Sequence, residues 1–258
     1  MKIIFLGTCS GTEPMPTRKH TSFCIESNHK IYWFDAGEGC SYTAHNLGVD
    51  LLAVHKVVIS HTHMDHVGGL GNLFWNIRKI SNRKKEMPYF GDIDLYIPNL
   101  ETWEGVWKIL KNTEGGFSIP FAISAHLVED GVLFDDGNVK VRAYHNHHLP
   151  KNDSAGWLSY SYRIEAEGKN IVYSGDVGTY SDLDDVIGNG CDILILETGH
   201  FKIDTAYQYF TDKNIGKLYF SHHGREILND VVGAQKKILE QFDGRAVICE
   251  DGMMVEMI

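Results

Sequence analysis

The segment Ile59-Ser60-His61-Thr62-His63-Met64-Asp65-His66 carries the reading of this chain. It closes the compact apolar run Lys56-Val57-Val58-Ile59-Ser60, which has the length and β-branched content of a buried strand. It precedes a stretch in which Leu70, Leu73, Phe74 and Ile77 recur at helical spacing, so an amphipathic helix is expected from Val67 to about Lys79. Strand, polar loop and helix together put four imidazole or carboxylate donors within six residues at the edge of a sheet. Imidazole is the commonest transition-metal ligand, and a set this dense can turn toward more than one ion. His61 and His63 share a face in extended backbone, while Asp65 and His66 turn away as the helix begins.

Three later segments repeat the pattern of donors just past a strand. Tyr144-His145-Asn146-His147-His148 follows the alternation Val139, Val141, Ala143; Ser174-Gly175-Asp176 follows Asn170 to Tyr173; and Ser221-His222-His223-Gly224 follows Lys217 to Phe220. An aspartate after Ser-Gly is ordinarily a turn former. Four strand ends bearing donors reverse that expectation, because strands of one sandwich can bring their ends to a common edge.

Working outward, strands are expected at 2–6, 22–26, 31–34 and 93–97, helices at 41–47 and around 103–110, and a hairpin of 160–166 with 170–174 around Glu167-Gly168-Lys169. The remainder alternates strand and helix: 193–196, 205–210, 217–220, 227–242 and 246–248. Without a repeat, a low-complexity tract or a linker, residues 1–258 are expected to form a single domain. The mixture of meander and βα units predicts the α/β class, as a four-layer αββα sandwich. Trp75, Trp103 and Trp107 are expected in the core rather than as a stacking wall, Met253, Met254 and Met257 on a terminal strand, and Cys9 as a packed thiol.

Composition bounds the function. Lys plus Arg number 24 against 34 Asp plus Glu, a formal charge of −10, and 43% of residues are hydrophobic. A disordered chain is excluded, and so is a protein that works mainly by wrapping nucleic acid through phosphate contacts. No apolar run approaches the roughly 18 residues that span a bilayer, and no signal-peptide core precedes Gly7. Cys9, Cys24, Cys40, Cys191 and Cys249 form no C-x-x-C pair and read as reduced thiols, so a cytoplasmic, membrane-free protein is expected.

With these motifs in hand the chain resembles the metallo-β-lactamase superfamily, in its ribonuclease Z and phosphodiesterase-like branch. The resemblance rests on Phe5-Leu6-Gly7-Thr8, Phe34-Asp35-Ala36-Gly37-Glu38-Gly39, Ile59 to His66 with Gly68-Gly69-Leu70, Ser159 to Ile164, Tyr173-Ser174-Gly175-Asp176, Asp192 to Glu197, and Leu218 to His222. It implies two divalent ions, with zinc the default and manganese, iron or nickel also suited to nitrogen and oxygen donors. His61, His63 and His148 would bind the first, Asp65, His66 and His222 the second, and Asp176 would bridge them. His147 stands as the alternative to His148. Asp65, Glu197, His200 and His223 are the catalytic candidates, with His200 or His223 as general acid and His223 otherwise lining the pocket.

Departures narrow the reading. Ribonuclease Z inserts a tRNA-gripping arm before the Ser-Gly-Asp strand, yet here Arg163 and Ser174 are only 174 − 163 = 11 positions apart. Where the family has His-x-Thr-Ala this chain has Ile203-Asp204-Thr205-Ala206, and His200 is the nearest substitute. The expectation is a hydrolase using a metal-bridging hydroxide on a small or nucleotide-like anionic phosphodiester, without a tRNA-binding arm, and a homodimer sooner than a monomer. A lactone or thioester hydrolase with the same site is the alternative. A metal-binding scaffold or a redox diiron protein ranks below both, since the ligand positions are filled and no residues remain for a flavin domain.

Overall fold

In a computed structural model that describes residues 1–113, 115–152 and 156–257, odd and even residues of the first strand part company. Ile3 and Phe5 of β1 (Lys2–Gly7) enter one apolar core, whereas Ile4 and Leu6 enter another. That period-2 split needs a sheet covered on both faces. One seven-stranded sheet runs β14-β1-β2-β3-β4-β5-β6, with β2 (Ser22–Ser27), β3 (Lys30–Phe34), β4 (Val54–Val58), β5 (Ile93–Ile97), β6 (Ile123–Leu127) and β14 (Met254–Glu256). The other, also of seven strands, runs β13-β12-β11-β10-β9-β8-β7, with β7 (Gly131–Asp135), β8 (Val139–His145), β9 (Tyr160–Ala166), β10 (Lys169–Tyr173), β11 (Cys191–Thr198), β12 (Ile215–His223) and β13 (Ala246–Ile248).

The inner faces meet through Phe5, Phe23, Phe34, Val141, Tyr162, Ile171 and Ile195. Outside the first sheet lie α1 (Cys40–Asn46), α2 (Met64–Val67), α3 (Leu70–Lys84) and α4 (Leu100–Lys111), with Leu73, Phe74, Ile77 and Trp103 turned toward Trp33 and Val57. Outside the second lie α5 (Asp184–Ile187), α6 (Ile203–Phe210), α7 (Arg225–Asn229) and α8 (Val231–Phe242), whose Phe210, Ile238 and Phe242 pack on Leu194 and Phe220. The layering is the αββα sandwich expected from the sequence.

Several boundaries move for physical reasons. The strand before the histidine motif spans Val54–Val58, so Ile59 and Ser60 already belong to the loop. The helix expected from Val67 is two helices separated at Gly68-Gly69; the backbone of Gly69 lies so close to Gly37 that a Cβ there would sit 2.2 Å from its carbonyl oxygen. The helix expected at 227–242 breaks at Asp230, whose carboxylate accepts from Gly233 N at 2.9 Å and starts α8 afresh. The strands β6 and β7 were not anticipated. They are the half-exposed edges at which the chain crosses from one sheet to the other. Trp103 is buried against Phe74, Trp75 and Trp107 are half-buried, and the terminal strand is β14, which holds only Met254 of the three methionines, exposed, while Met253 and Met257 flank it and pack on the core.

β10, β11, β12 and β13 are parallel neighbours, and β8 shares their direction because both it and β10 pair antiparallel with β9. The C-terminal ends of β8, β10, β11 and β12 therefore reach one edge. Across the inter-sheet gap, Tyr160 N donates to Ser60 O at 3.0 Å and ties the loop after β4 to that edge.

Candidate metal centre

The donors from four strand ends meet in two sets. His61 Nε2 lies 3.1 Å from His63 Nδ1, His148 Nε2 lies 3.3 Å from the same His63 atom, and Asp176 Oδ2 is 3.7 Å from both His61 Nε2 and His148 Nε2. In the second set Asp65 Oδ2 is 3.0 Å from His222 Nε2 and 3.4 Å from His66 Nε2, while Asp176 is 3.5 Å from His66 Nε2 and 3.3 Å from His222 Nε2. A tetrahedral ion with bonds of about 2.1 Å has ligand-to-ligand edges of roughly 3.4 Å, so both sets have the spacing such an ion requires.

Satisfaction of the donors points the same way. His66 Nε2 and Asp176 Oδ1 are buried with no hydrogen-bond partner, although buried polar atoms are normally paired. In the first set three imidazole nitrogens converge, with His61 Nε2 and His148 Nε2 within 3.3 Å of His63 Nδ1, an arrangement that suits lone pairs directed at a common cation. The residues therefore fit divalent ions.

The structure also supplies the support behind the donors. Asp35, fully buried and at φ 50°, accepts from Ser60 N at 2.6 Å, Ser60 Oγ at 2.7 Å, Tyr173 OH at 2.5 Å and His66 Nδ1 at 2.7 Å. That bond aims Nε2 of His66 at the site, where an ion would displace the proton the ring otherwise holds. Burial works against a charged His66, but Asp176 and Asp35 outweigh it and hold its pKa well above the ordinary value. Burial likewise opposes charge on Asp65 and Asp176. Hydrogen bonds from His222 and His66 in the first case, and the nearness of His222 and His66 in the second, keep both carboxyls well below the usual range. Desolvation dominates at His61 and His148, whose pKa values fall, leaving neutral imidazoles ready to donate lone pairs.

Asp35 is the residue sequence reasoning missed. Phe34-Asp35-Ala36-Gly37 reads as a strand end and turn, and the clue lay in placing a carboxylate directly after four buried strand residues. Gly199 is another. A Cβ there would lie 2.5 Å from His222 Nδ1, so only glycine lets the imidazole of His222 settle where it does.

The catalytic candidates separate. Buried Glu197 accepts hydrogen bonds from Val177 N at 3.1 Å, from His200 N at 3.0 Å and from His200 Nδ1–H at 3.0 Å, so it joins the Asp176 loop to the His200 loop. That hydrogen bond raises the His200 pKa, and His200 lies on the wall of a 370 Å³ pocket with His63, Asp65, Asp176 and His222. His223 does not line it. Its Nε2–H donates to the Cys249 carbonyl at 2.9 Å and its Nδ1 meets Thr198 Oγ1 at 3.1 Å, and full burial pushes its pKa down to about 3. His223 is thus corrected to a structural residue. The reason is local: His222, at φ 48°, is the extra residue where the β11–β12 register shifts, so it turns toward the site while His223, paired with Thr198, turns toward Cys249.

His147 is held away as well. Its Nδ1 donates to Asp182 at 2.6 Å with the side chain largely exposed, which leaves His148 as the inward residue of that loop. Cys9 is buried, its thiol 3.2 Å from Thr12 Oγ1, as expected for a packed cysteine.

Comparison with known proteins fits this geometry. Residues 1–209 match the family described as anti-Pycsar protein Apyc1. The chain belongs to that family. More broadly the Apyc1-family chain has the metallo-β-lactamase fold. It is 29% identical over 164 residues to a ribonuclease Z of Methanothermobacter thermautotrophicus, a match covering 63% of this chain and 48% of that relative, so it spans about half the relative's length. Human tRNase Z, short form, superposes with a TM-score of 0.74 at 19% identity over 99% of both chains. A metallo-β-lactamase fold protein from Bacillus subtilis gives 0.72 at 18% identity, again over 99% of both. Among the described residues no helix is long and apolar enough to cross a membrane.

Proposed function

We propose that this chain is a binuclear metal-dependent phosphodiesterase acting on a small or nucleotide-like phosphodiester. The observation that carries the reading is the position of Asp176, whose carboxylate lies within 3.7 Å of His61, His148, His66 and His222 and so within reach of both donor sets. His61, His63 and His148 would hold one ion, Asp65, His66 and His222 the other, with Asp176 between them and zinc as the default metal. Such ions supply Lewis acidity and bring the pKa of a bound water toward about 7.

The chain's own residues do the rest. His200 commits Nδ1 to Glu197 and keeps its proton longer than an ordinary imidazole, so Nε2 can protonate the departing alkoxide. The pocket volume suits a compact substrate. β9 and β10 are joined by Glu167 and Gly168 alone, which supports a substrate smaller than tRNA. The reading extends to a single domain over 1–258 and to a homodimer. For the dimer the support is the apolar groove lined by α2, α3 and α4, where Met64 and Ile109 are exposed. Five buried cysteines without disulfides support a reducing compartment such as the cytoplasm.

Metal analysis combined with assays on a bis-aryl phosphate, a lactone and a thioester tests the reading. Turnover of the bis-aryl phosphate by protein carrying two ions is expected; turnover confined to the lactone or thioester, or none at all, overturns it.

A further inference from the structure

Two loops that are far apart in sequence frame the mouth of the pocket. One is Ser10-Gly11-Thr12-Glu13, packed so that a Cβ on Gly11 would lie 3.2 Å from the Asp65 carboxylate. The other is the turn from His222 to Arg225, in which Gly224 is pressed against Gly199, 2.7 Å from its carbonyl oxygen for a built Cβ. They are stitched together on the side away from solvent: Ser10 Oγ donates to the His223 carbonyl at 2.8 Å and His223 N donates to Thr8 O at 2.7 Å. On the solvent side Arg225 Nη2 donates to Glu13 Oε2, so an ion pair spans the two loops beside the second donor set.

Among the described residues lining the pocket, Arg225 is the side chain with a permanent positive charge, set among the carboxylates of Asp65 and Asp176. Its partner is exposed, with a side chain 64% accessible, and Arg225 itself is 50% accessible. An ion pair this open is weakly held and exchanges readily. A guanidinium can engage a phosphate oxyanion through two N–H groups at once, which a single carboxylate oxygen on an exposed side chain does not match.

We infer that Arg225 is a specificity-determining residue that takes an oxyanion of the bound substrate, with Glu13 as the exchangeable group that occupies its guanidinium until substrate arrives. This deepens the phosphodiesterase reading and rests on it: the metal donors alone serve anionic and neutral esters alike, whereas Arg225 selects the anion. Glu13 then competes with substrate, so its removal strengthens binding.

The test uses Arg225→Gln, Arg225→Lys and Glu13→Gln, with kinetics on bis-p-nitrophenyl phosphate, calorimetric binding of inorganic phosphate and metal content for every variant. Arg225→Gln is expected to raise KM about tenfold, far more than it lowers kcat, and to weaken phosphate binding in parallel at unchanged metal content. Arg225→Lys recovers part of the loss. Glu13→Gln lowers KM about threefold, and this gain vanishes in the double variant. Unchanged KM and phosphate affinity in Arg225→Gln, or a raised KM in Glu13→Gln, overturns the inference while leaving the phosphodiesterase reading intact. A wild-type protein inert toward the phosphodiester overturns that reading instead, and phosphate binding by the same variants still decides whether Arg225 holds an oxyanion.

Discussion

The two donor sets are built differently. In the first, His63 is exposed and His148 is half-buried, with only His61 fully enclosed. In the second, Asp65, His66 and His222 are all buried, and two further carboxylates stand behind them, Asp35 on His66 and Glu197 3.7 Å from His222 Nδ1. One set is open, with two of its three imidazoles reaching solvent; the other is closed, with Asp35 hydrogen-bonded to His66 and the Glu197 carboxylate near His222. Outer partners of this kind fix ring orientation and raise ligand basicity. The closed set should therefore hold its ion more tightly and release it more slowly, while the open set faces the substrate.

The largest effect should come from the residue common to both. Asp176→Ala is expected to abolish hydrolysis and to lower metal content at both sets, measured by elemental analysis after gel filtration. Retention of two ions would separate the sets and break the comparison.

Asp35→Asn comes next and acts chiefly on the closed set, where it touches His66 directly, whereas it reaches His61 only through Ser60 Oγ. Four donors converge on that buried carboxylate, so its replacement should weaken the closed set by about 10- to 100-fold and cost about 3 kcal/mol of stability. Chelation kinetics followed with a metal-sensitive dye should show the slow ion becoming fast while the fast one changes far less. Gly199→Ala, which drives a methyl group into His222, should weaken the closed set by roughly tenfold with less loss of stability. Equal acceleration of both ions in either variant would contradict the proposed division.

The smallest effect lies outside both sets and sharpens the comparison as a control. His55, at the start of β4 and away from the histidine motif, has its pKa pushed down to about 4 by burial and then by Lys56 and Lys30. The unfolded chain takes up this proton near 6.5 and the folded chain only near 4, so stability present above pH 6.5 is lost as pH falls toward 4. His55→Gln should reduce the drop in urea midpoint between pH 7 and pH 4.5, and metal content should stay at the wild-type level.

What could be read from the chain follows the same divide. The open set was legible because its donors are crowded into His61-Thr62-His63 and the loop ending at His148, where polar residues interrupt apolar strands. Much of the closed set was legible too, through Asp65, His66 and His222, and the four layers followed from strand-length runs alternating with helical spacing. The supports were not. Asp35 acts through tertiary hydrogen bonds to Ser60 and Tyr173, 25 and 138 residues away, which no local pattern encodes. His223 was misread because a shift of register within β12 reverses the alternation that would have placed it. The edge strand Ile123–Leu127 escapes for another reason: its Ile-Ser-Ala-His-Leu alternation is only five residues long and, at a half-exposed sheet edge, has no buried face to mark it.

The central claim is that seven side chains hold two ions with Asp176 between them. Anomalous diffraction at the zinc edge, on crystals of the zinc-loaded protein, tests it most directly. Two peaks are predicted, one at bonding distance from His61, His63 and His148 and one from Asp65, His66 and His222, both touching Asp176; a single peak, or peaks bound by other residues, would contradict the account.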